Sequence, residues 1–426
     1  MKKLLVLGAG TAGTMIVNRL RRQLDAGEWA ITVVDPHEVH TYQPGFLFLP
    51  FGTYTADQIT RPRRPSLSKG VDFVVGEVDR VDATANKVSL VDGETLDYDY
   101  LIIASGTTPR PDQTPGMLGT EWRKSIFDFY TMDGAVALAE ALKKFDHGRL
   151  VVHITDMPIK CPVAPLEFTF LAESWLREQG LRDQVEIIYV TPLPGAFTKP
   201  VCSTALGYLL TEKKIALETD FMVERVDVEN KALVSYDERE VPFDLLVTVP
   251  LNMGADFVGR SGLGDDLNYV PVDKHTMQSK KYPNMFAIGD ASDIPASKAG
   301  SVAHFAVEVF TENFLELIAG KPMTGSFDGH ANCFIESGDG KALLIDFNYE
   351  TEPLTGTYPL PLVGPMSLLK PTRANHFGKL AFRWMYWNIL LPGRSMPVTT
   401  HMSMVGKTPS PTATRASKTP AKTASN

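Results

Sequence analysis

Between a short apolar run, Leu4 to Leu7, and an amphipathic stretch, Thr14 to Gln23, lies Gly8-Ala9-Gly10-Thr11-Ala12-Gly13. This hexapeptide restricts the fold more than any other segment. The spacing G-x-G-x-x-G marks a turn in which a buried parallel strand, here residues 3–7, runs straight into a helix. The next strand is predicted at Ile31 to Val34 and closes on Asp35, about 20 residues past the turn. Each residue type has its own reason. Gly8 makes the tight turn, Gly10 lets backbone approach a pyrophosphate, Gly13 lets helix and strand pack closely, and the Asp35 carboxylate accepts hydrogen bonds from a ribose diol. Ala9, Thr11 and Ala12 complete the cradle. Such a unit dictates an α/β architecture that binds a dinucleotide, and leaves open which one.

Two later segments decide between NAD and FAD. Tyr98-Asp99-Tyr100-Leu101-Ile102-Ile103-Ala104-Ser105-Gly106-Thr107 is an acid-led buried strand ending in small residues, and Asn284-Met285-Phe286-Ala287-Ile288-Gly289-Asp290 is a strand ending in Gly-Asp. In order and spacing they resemble the second and third signatures of the two-dinucleotide-binding-domain flavoproteins, the disulfide-reductase-like oxidoreductases. The resemblance implies FAD and two Rossmann-like nucleotide-binding domains. It places Ser105 and Gly106 near the FAD and sets Gly289 and Asp290 at a ribityl hydroxyl, with Pro44 and Val78 as further cofactor contacts. The expected division is an FAD-binding domain in two parts, 1–110 and 256–330, with a second Rossmann-like domain at 111–255 between them. A redox-cysteine and quinone or membrane region follows at 331–406, and a disordered tail at 407–426.

Members of that architecture that use NAD(P)H repeat the glycine motif in the inserted domain. Here the expected strand, Arg149 to Ile154, leads instead into Thr155-Asp156-Met157-Pro158-Ile159-Lys160-Cys161-Pro162-Val163-Ala164-Pro165, which has no glycine, and then into a helix from Leu166 to Gln179. Side chains and prolines fill a turn where pyrophosphate needs bare backbone, so reduced nicotinamide is a poor electron donor for this chain. Cys161 stands ahead of a helix N-terminus and beside Lys160, a setting that favours thiolate, although a free cysteine is also a common buried apolar residue. Cys333, in Asn332-Cys333-Phe334-Ile335-Glu336, is the second candidate, and Cys202 reads as structural.

Taken together, these features resemble the sulfide:quinone oxidoreductases and the related flavocytochrome c sulfide dehydrogenases. They are the FAD signatures, the proline-flanked cysteine in the vacated turn, Glu167 soon after it, the Cys333-Phe334 pair and an aromatic C-terminal helix. The resemblance runs from residue 1 to about residue 400 and implies that Cys161 and Cys333 shuttle sulfur beside the flavin. It implies that Lys298 lies near the flavin pyrimidine oxygens and stabilises developing negative charge. Departures accompany it. No cysteine follows Asp35 where the flavocytochrome members attach FAD, so FAD is expected to be non-covalent. The third cysteine and active-site histidine of several quinone enzymes have no clear counterpart, which leaves Glu167 as the nearest candidate base and His37, His40 and His304 as alternatives.

Charge is unevenly distributed. The chain of 426 residues has a formal net charge of -8, yet nine Lys and Arg and no Asp or Glu follow Glu352. The acidic body is a poor nucleic-acid partner, whereas the basic end suits an anionic lipid surface. Three cysteines exclude a disulfide framework, and no metal-ligand cluster is read. Met-Lys-Lys-Leu-Leu-Val-Leu imitates a secretory signal, but its apolar run ends at once in glycines. No apolar run reaches the ~18 residues of a membrane span. Phe377 to Leu391 reads as a helix with Lys379, Arg383 and Tyr386 on one stripe and apolar side chains over the rest. It is either a buried packing helix or an interfacial helix with its cations at lipid phosphate. The need to reach a membrane quinone favours the second.

The resulting expectation is a peripheral, monotopic enzyme on the cytoplasmic face of the cell membrane. It would oxidise hydrogen sulfide through FAD to polysulfide or sulfur and pass the electrons to a membrane quinone held by Phe334, Phe377 and Lys379. Type II NADH:quinone oxidoreductase and a non-enzymatic flavoprotein are the alternatives, and homo-oligomerisation stays open.

Overall fold

The computed structural model describes residues 1–360, 364–396 and 399–408. Leu4, Leu5, Val6 and Leu7 are buried on both strand faces, as a central parallel strand requires. Strand Lys2–Leu7 is flanked by Trp29–Asp35 and then Val71–Val75 on one side, and by Tyr100–Ile103 and then Met285–Ala287 on the other, all parallel. The first helix, Thr11–Arg21, starts three residues earlier than the sequence predicts. Gly10 is its extended N-cap, and Thr14 donates its amide to the Gly10 carbonyl (3.0 Å) and its hydroxyl to the Ala9 carbonyl (2.9 Å).

The middle of the chain repeats this plan. Strand Gly148–Ile154 sits between Val185–Val190, followed by Ala216–Glu218, and Leu245–Val249, followed by Ile126–Phe127, again all parallel. Each unit also carries a three-stranded antiparallel sheet, within residues 78–97 in one and 223–242 in the other. Thr107–Pro109 and Asn252–Gly254 pair antiparallel where the chain leaves the first unit and returns to it.

The last part is a five-stranded sheet, in the order Ala331–Gly338, Lys341–Phe347, Gly364–Leu368, Thr355–Leu360 and Lys407–Thr408. The expected disorder from residue 407 is corrected at its start. Lys407 and Thr408 pair with Gly356 and Thr355, and the buried Lys407 ammonium forms an ion pair with Asp346, which also accepts from His330 Nε2 (2.7 Å). Residues 409–426 lie outside the described residues.

The C-terminal helix, Arg373–Met385, continues as a π-helical turn through Tyr386–Leu390. Thr372 caps it by accepting the Asn375 amide (3.2 Å), so it begins before Phe377. Its cationic stripe faces inward. Lys379 reaches Glu167, Arg383 lies 4.3 Å from the Tyr54 ring centroid, and Tyr386 meets Thr11 and His40. Phe377 and Trp384 point outward, 66% and 63% exposed. The expectation that Lys379 and Arg383 meet lipid phosphate is therefore corrected, because buried carboxylate and tyrosine partners hold both inside. Among the described residues, no helix is long and apolar enough to cross a membrane.

Candidate functional site

The glycine turn has the shape its sequence demands. Gly8 has φ +100°, and a Cβ there would press on the Ala104 carbonyl oxygen at 2.5 Å. A Cβ on Gly10 would meet nothing within 4 Å, so the backbone at this point is open to a ligand. Asp35 accepts from the Ala9 amide (2.8 Å) and the His37 amide (3.0 Å) and pairs with Arg63 (3.3 Å), whose Nη1 also donates to the Ala9 carbonyl. Ser105 Oγ is buried without a partner among the described residues. The Asp290 carboxyl, raised in pKa by burial, makes no hydrogen bond among the described residues. A buried hydroxyl and a half-buried carboxyl beside an open glycine turn match the polyol, ribose and pyrophosphate of FAD. Pro44 is exposed at the start of a 3₁₀ turn, and the neighbouring Gln43 accepts from Lys160 Nζ (3.1 Å) across the cleft. Val78 is buried where the antiparallel sheet begins.

The corresponding turn of the second unit is closed to a dinucleotide. The Lys160 amide donates to Asn252 Oδ1 (3.2 Å), the Cys161 amide to the Lys298 carbonyl (2.6 Å) and the Ala164 amide to the Cys161 carbonyl (2.9 Å). The donors a pyrophosphate would need are taken, and Cys161 itself has φ +49°. The helix after it, Ala164–Glu178, opens with Pro165 in its first turn and carries Glu167 inward.

Cys161 and Cys333 are both half-buried free thiols, and each feels the charges of Glu167 and Lys379. Burial pushes the Cys161 thiol up to about 12, with Glu167 and Cys333 adding to the rise and Lys379 opposing it. Burial likewise pushes Cys333 up to about 11, opposed by Lys379. The expected Cys161 thiolate is thus corrected. Lys160 reaches to Gln43, and the cation that most lowers the Cys161 pKa is Lys379, which the sequence reading assigned to quinone and to lipid phosphate.

Glu167 ties the centre together. Its Oε1 accepts from Lys379 Nζ (2.6 Å) and the Glu336 amide (2.8 Å), while its Oε2 is buried with no partner among the described residues. Burial raises its pKa against the pull of Lys379. Burial lowers the Lys379 pKa, but Glu167 and the other anions outweigh it, so the ammonium stays charged. Lys379 also donates to the Phe334 carbonyl (3.1 Å), and the Phe334 ring leaves no room for a Cβ on Gly378 (2.8 Å). Phe334 and Lys379 therefore share the chamber, whereas Phe377 is turned away from it. Lys298 lies at the Gly289–Asp290 turn. Its ammonium donates to the carbonyls of Asp290 (2.9 Å) and Ser292 (3.0 Å) and lies over Tyr269, so it braces the Gly289–Asp290 turn. Cys202 is fully buried in helix Pro200–Glu212. Of the alternative bases, His40 is buried and pushed down to about 3, His304 down to about 4, and His37 donates its amide to Asp35.

Residues 2–308 match the family model described as pyridine nucleotide-disulphide oxidoreductase, well over half of the chain. The chain belongs to this family. Within it, the chain is 25% identical over 397 residues to the mitochondrial sulfide:quinone oxidoreductase of Mus musculus, covering 92% of this chain and 86% of that one. It is also 36% identical over 380 residues to a type II NADH:quinone oxidoreductase of Staphylococcus aureus, covering 81% and 90%. The solved sulfide:quinone oxidoreductase of Aquifex aeolicus superposes with a TM-score of 0.76 at 20% identity, covering 91% of this chain and 92% of that one.

Proposed function

We infer that this chain oxidises hydrogen sulfide and delivers the two electrons to a quinone. The observation that carries the reading is the second nucleotide turn. Its amides are consumed and its place is taken by Cys161, which shares a chamber with Cys333, Glu167 and Lys379. That favours the sulfide enzymes over the NADH enzymes among its relatives.

FAD held by Gly8 to Gly13, Asp35, Ser105, Gly106 and Asp290 supplies the two-electron carrier between sulfur and quinone. The protein's own residues supply the sulfur chemistry. Hydrosulfide attacks the sulfur-bridged form of Cys161 and Cys333; one S–S bond forms and one breaks, leaving a persulfide on one cysteine and a thiolate on the other. Rejoining the two sulfurs releases two electrons and lengthens the bridge by one sulfur. Repetition yields polysulfide or sulfur. Because burial keeps both thiols protonated, a base is required, and Glu167, whose Oε2 has no partner among the described residues, takes that role in this reading. The quinone takes up two electrons and two protons beside Phe334 and Lys379. The outward Phe377 and Trp384 suit the apolar edge of a membrane interface, which supports peripheral attachment.

Anaerobic spectra test the reading. Sulfide is expected to bleach the bound flavin, with quinone restoring it, and NADH to leave it oxidised. Bleaching by NADH and not by sulfide would reverse the assignment.

A further inference from the structure

A second cavity, of about 560 Å³, opens between the first helix, the segment 61–68 and the end of the C-terminal helix. Arg22, Arg61 and Arg394 line it, and no carboxylate does among the described residues. None of the three takes part in an ion pair there either, whereas the neighbouring Arg19 and Arg63 pair with Glu308 and Asp35. Uncompensated cations repel one another. Burial, then Arg19 and Arg394, lower the pKa of Arg22. No residue of the glycine turn or the sulfur chamber belongs to the cavity wall.

The wall is rigidly built. Asn18 joins its three segments, donating to the carbonyls of Ser66 (2.8 Å) and Leu391 (2.9 Å) and accepting from the Ser68 amide (2.7 Å). Arg22 donates to the carbonyls of Pro392 (2.7 Å) and Gly393. Gly393 has φ +67°, and a Cβ there would strike the Met15 carbonyl at 2.9 Å, so only glycine lets the chain lie this close to the first helix. The Arg61 guanidinium lies 4.5 Å from the Trp387 ring centroid, and neither its side chain nor that of Arg394 makes a hydrogen bond among the described residues. Two guanidinium forks, serine hydroxyls and an apolar side of Pro62, Pro65 and Leu391 meet in one space.

We propose that this cavity binds a phosphate ester, its phosphoryl oxygens taken by Arg61 and Arg394 and its organic remainder packed on Trp387 and Leu391. The same chemistry is offered by a soluble phosphate ester and by the headgroup of an anionic phospholipid. Calorimetric titration of the FAD-loaded protein with glycerol 3-phosphate, with sodium chloride as control, tests the first source. Flotation with phosphatidylglycerol–phosphatidylcholine vesicles tests the second. Arg61→Gln and Arg394→Gln are each expected to weaken binding of the responding probe about tenfold or more, with flavin absorption and quinone reduction unchanged. Ser68→Asp, which sets a negative charge in the wall, is expected to abolish it. Binding of glycerol 3-phosphate assigns a soluble ligand; a response confined to vesicles assigns a lipid headgroup. The proposal is overturned if wild type binds neither probe, or if Arg394→Gln and Ser68→Asp, both folded, bind as wild type does.

Discussion

Replacing Lys379 with Met strips Glu167 of its ammonium partner and leaves only the Glu336 amide, at 2.8 Å, on a carboxylate with no exposed surface. An unpaired anion cannot persist there, so Glu167 takes up a proton. Starting from an ordinary carboxyl pKa of about 4.3 in the unfolded chain, neutralising it costs about 1.4 kcal/mol for every pH unit above that value, close to 4 kcal/mol at pH 7. This agrees with the roughly 3–5 kcal/mol for breaking a buried pair. The sign follows from proton counting. In the variant the folded state holds the extra proton, so the penalty grows as pH rises; it should be nearly 3 kcal/mol larger at pH 7 than at pH 5. Chemical denaturation of holoenzyme at the two pH values measures it. Lys379→Met/Glu167→Gln should recover most of the loss and its pH slope, because a neutral amide can still accept from Glu336. Alkylation by iodoacetamide gives a second readout, since Lys379 is the charge that acts most on Cys333, and without it the pH profile of Cys333 moves upward. A penalty below about 1 kcal/mol at pH 7, or one independent of pH, would refute the reasoning.

Cys161→Ser and Cys333→Ser should each retain flavin and lose sulfide-dependent quinone reduction by several orders of magnitude, without further loss in the double variant, while Cys202→Ser keeps most activity. Mass spectrometry of sulfide-treated wild type should find added sulfur on peptides containing Cys161 or Cys333; turnover by either single variant contradicts the pairing. Acid precipitation should release the flavin into solution, and Gly10→Trp should purify largely without it; full occupancy in that variant would mean the turn is not the cradle. Phe377→Ser/Trp384→Ser should lower vesicle binding at least tenfold with soluble-quinone activity retained, and unchanged flotation would remove the interfacial role from this helix.

What could be read in the sequence was what neighbouring residues encode. The glycine turn, Asp35 and the Gly289–Asp290 strand end are local patterns whose geometry follows from residue type. The loss of the second turn was legible because its glycines are replaced within eleven residues. What escaped was set by distant partners. Periodicity showed that Lys379 and Arg383 share a face of the last helix, but not that the face turns inward. A carboxylate 212 residues away in the chain decides that. The same distance hid the cation at the cysteines. Lys160 is adjacent to Cys161 in sequence, yet it leans towards Gln43, and thiol burial depends on tertiary packing that no short motif reports. Lys298 was located by its motif, but its carbonyl partners were not foreseeable.

One helix touches both ends of the chemistry. Lys379 belongs to the sulfur chamber, and less than three turns later Tyr386 donates or accepts at Thr11 (2.8 Å), in the glycine turn itself, and meets His40 (2.6 Å). The contact predicts an assembly ordered in time. A flavin arriving after the C-terminal helix has docked meets a doorway already latched, so refolding with FAD present from the start should yield far more holoprotein than adding FAD to refolded apoprotein. Tyr386→Phe, which removes the hydroxyl contact to Thr11 and His40 and keeps the ring, should narrow that gap. Equal yields from the two orders of addition in wild type would show that the latch does not govern cofactor entry.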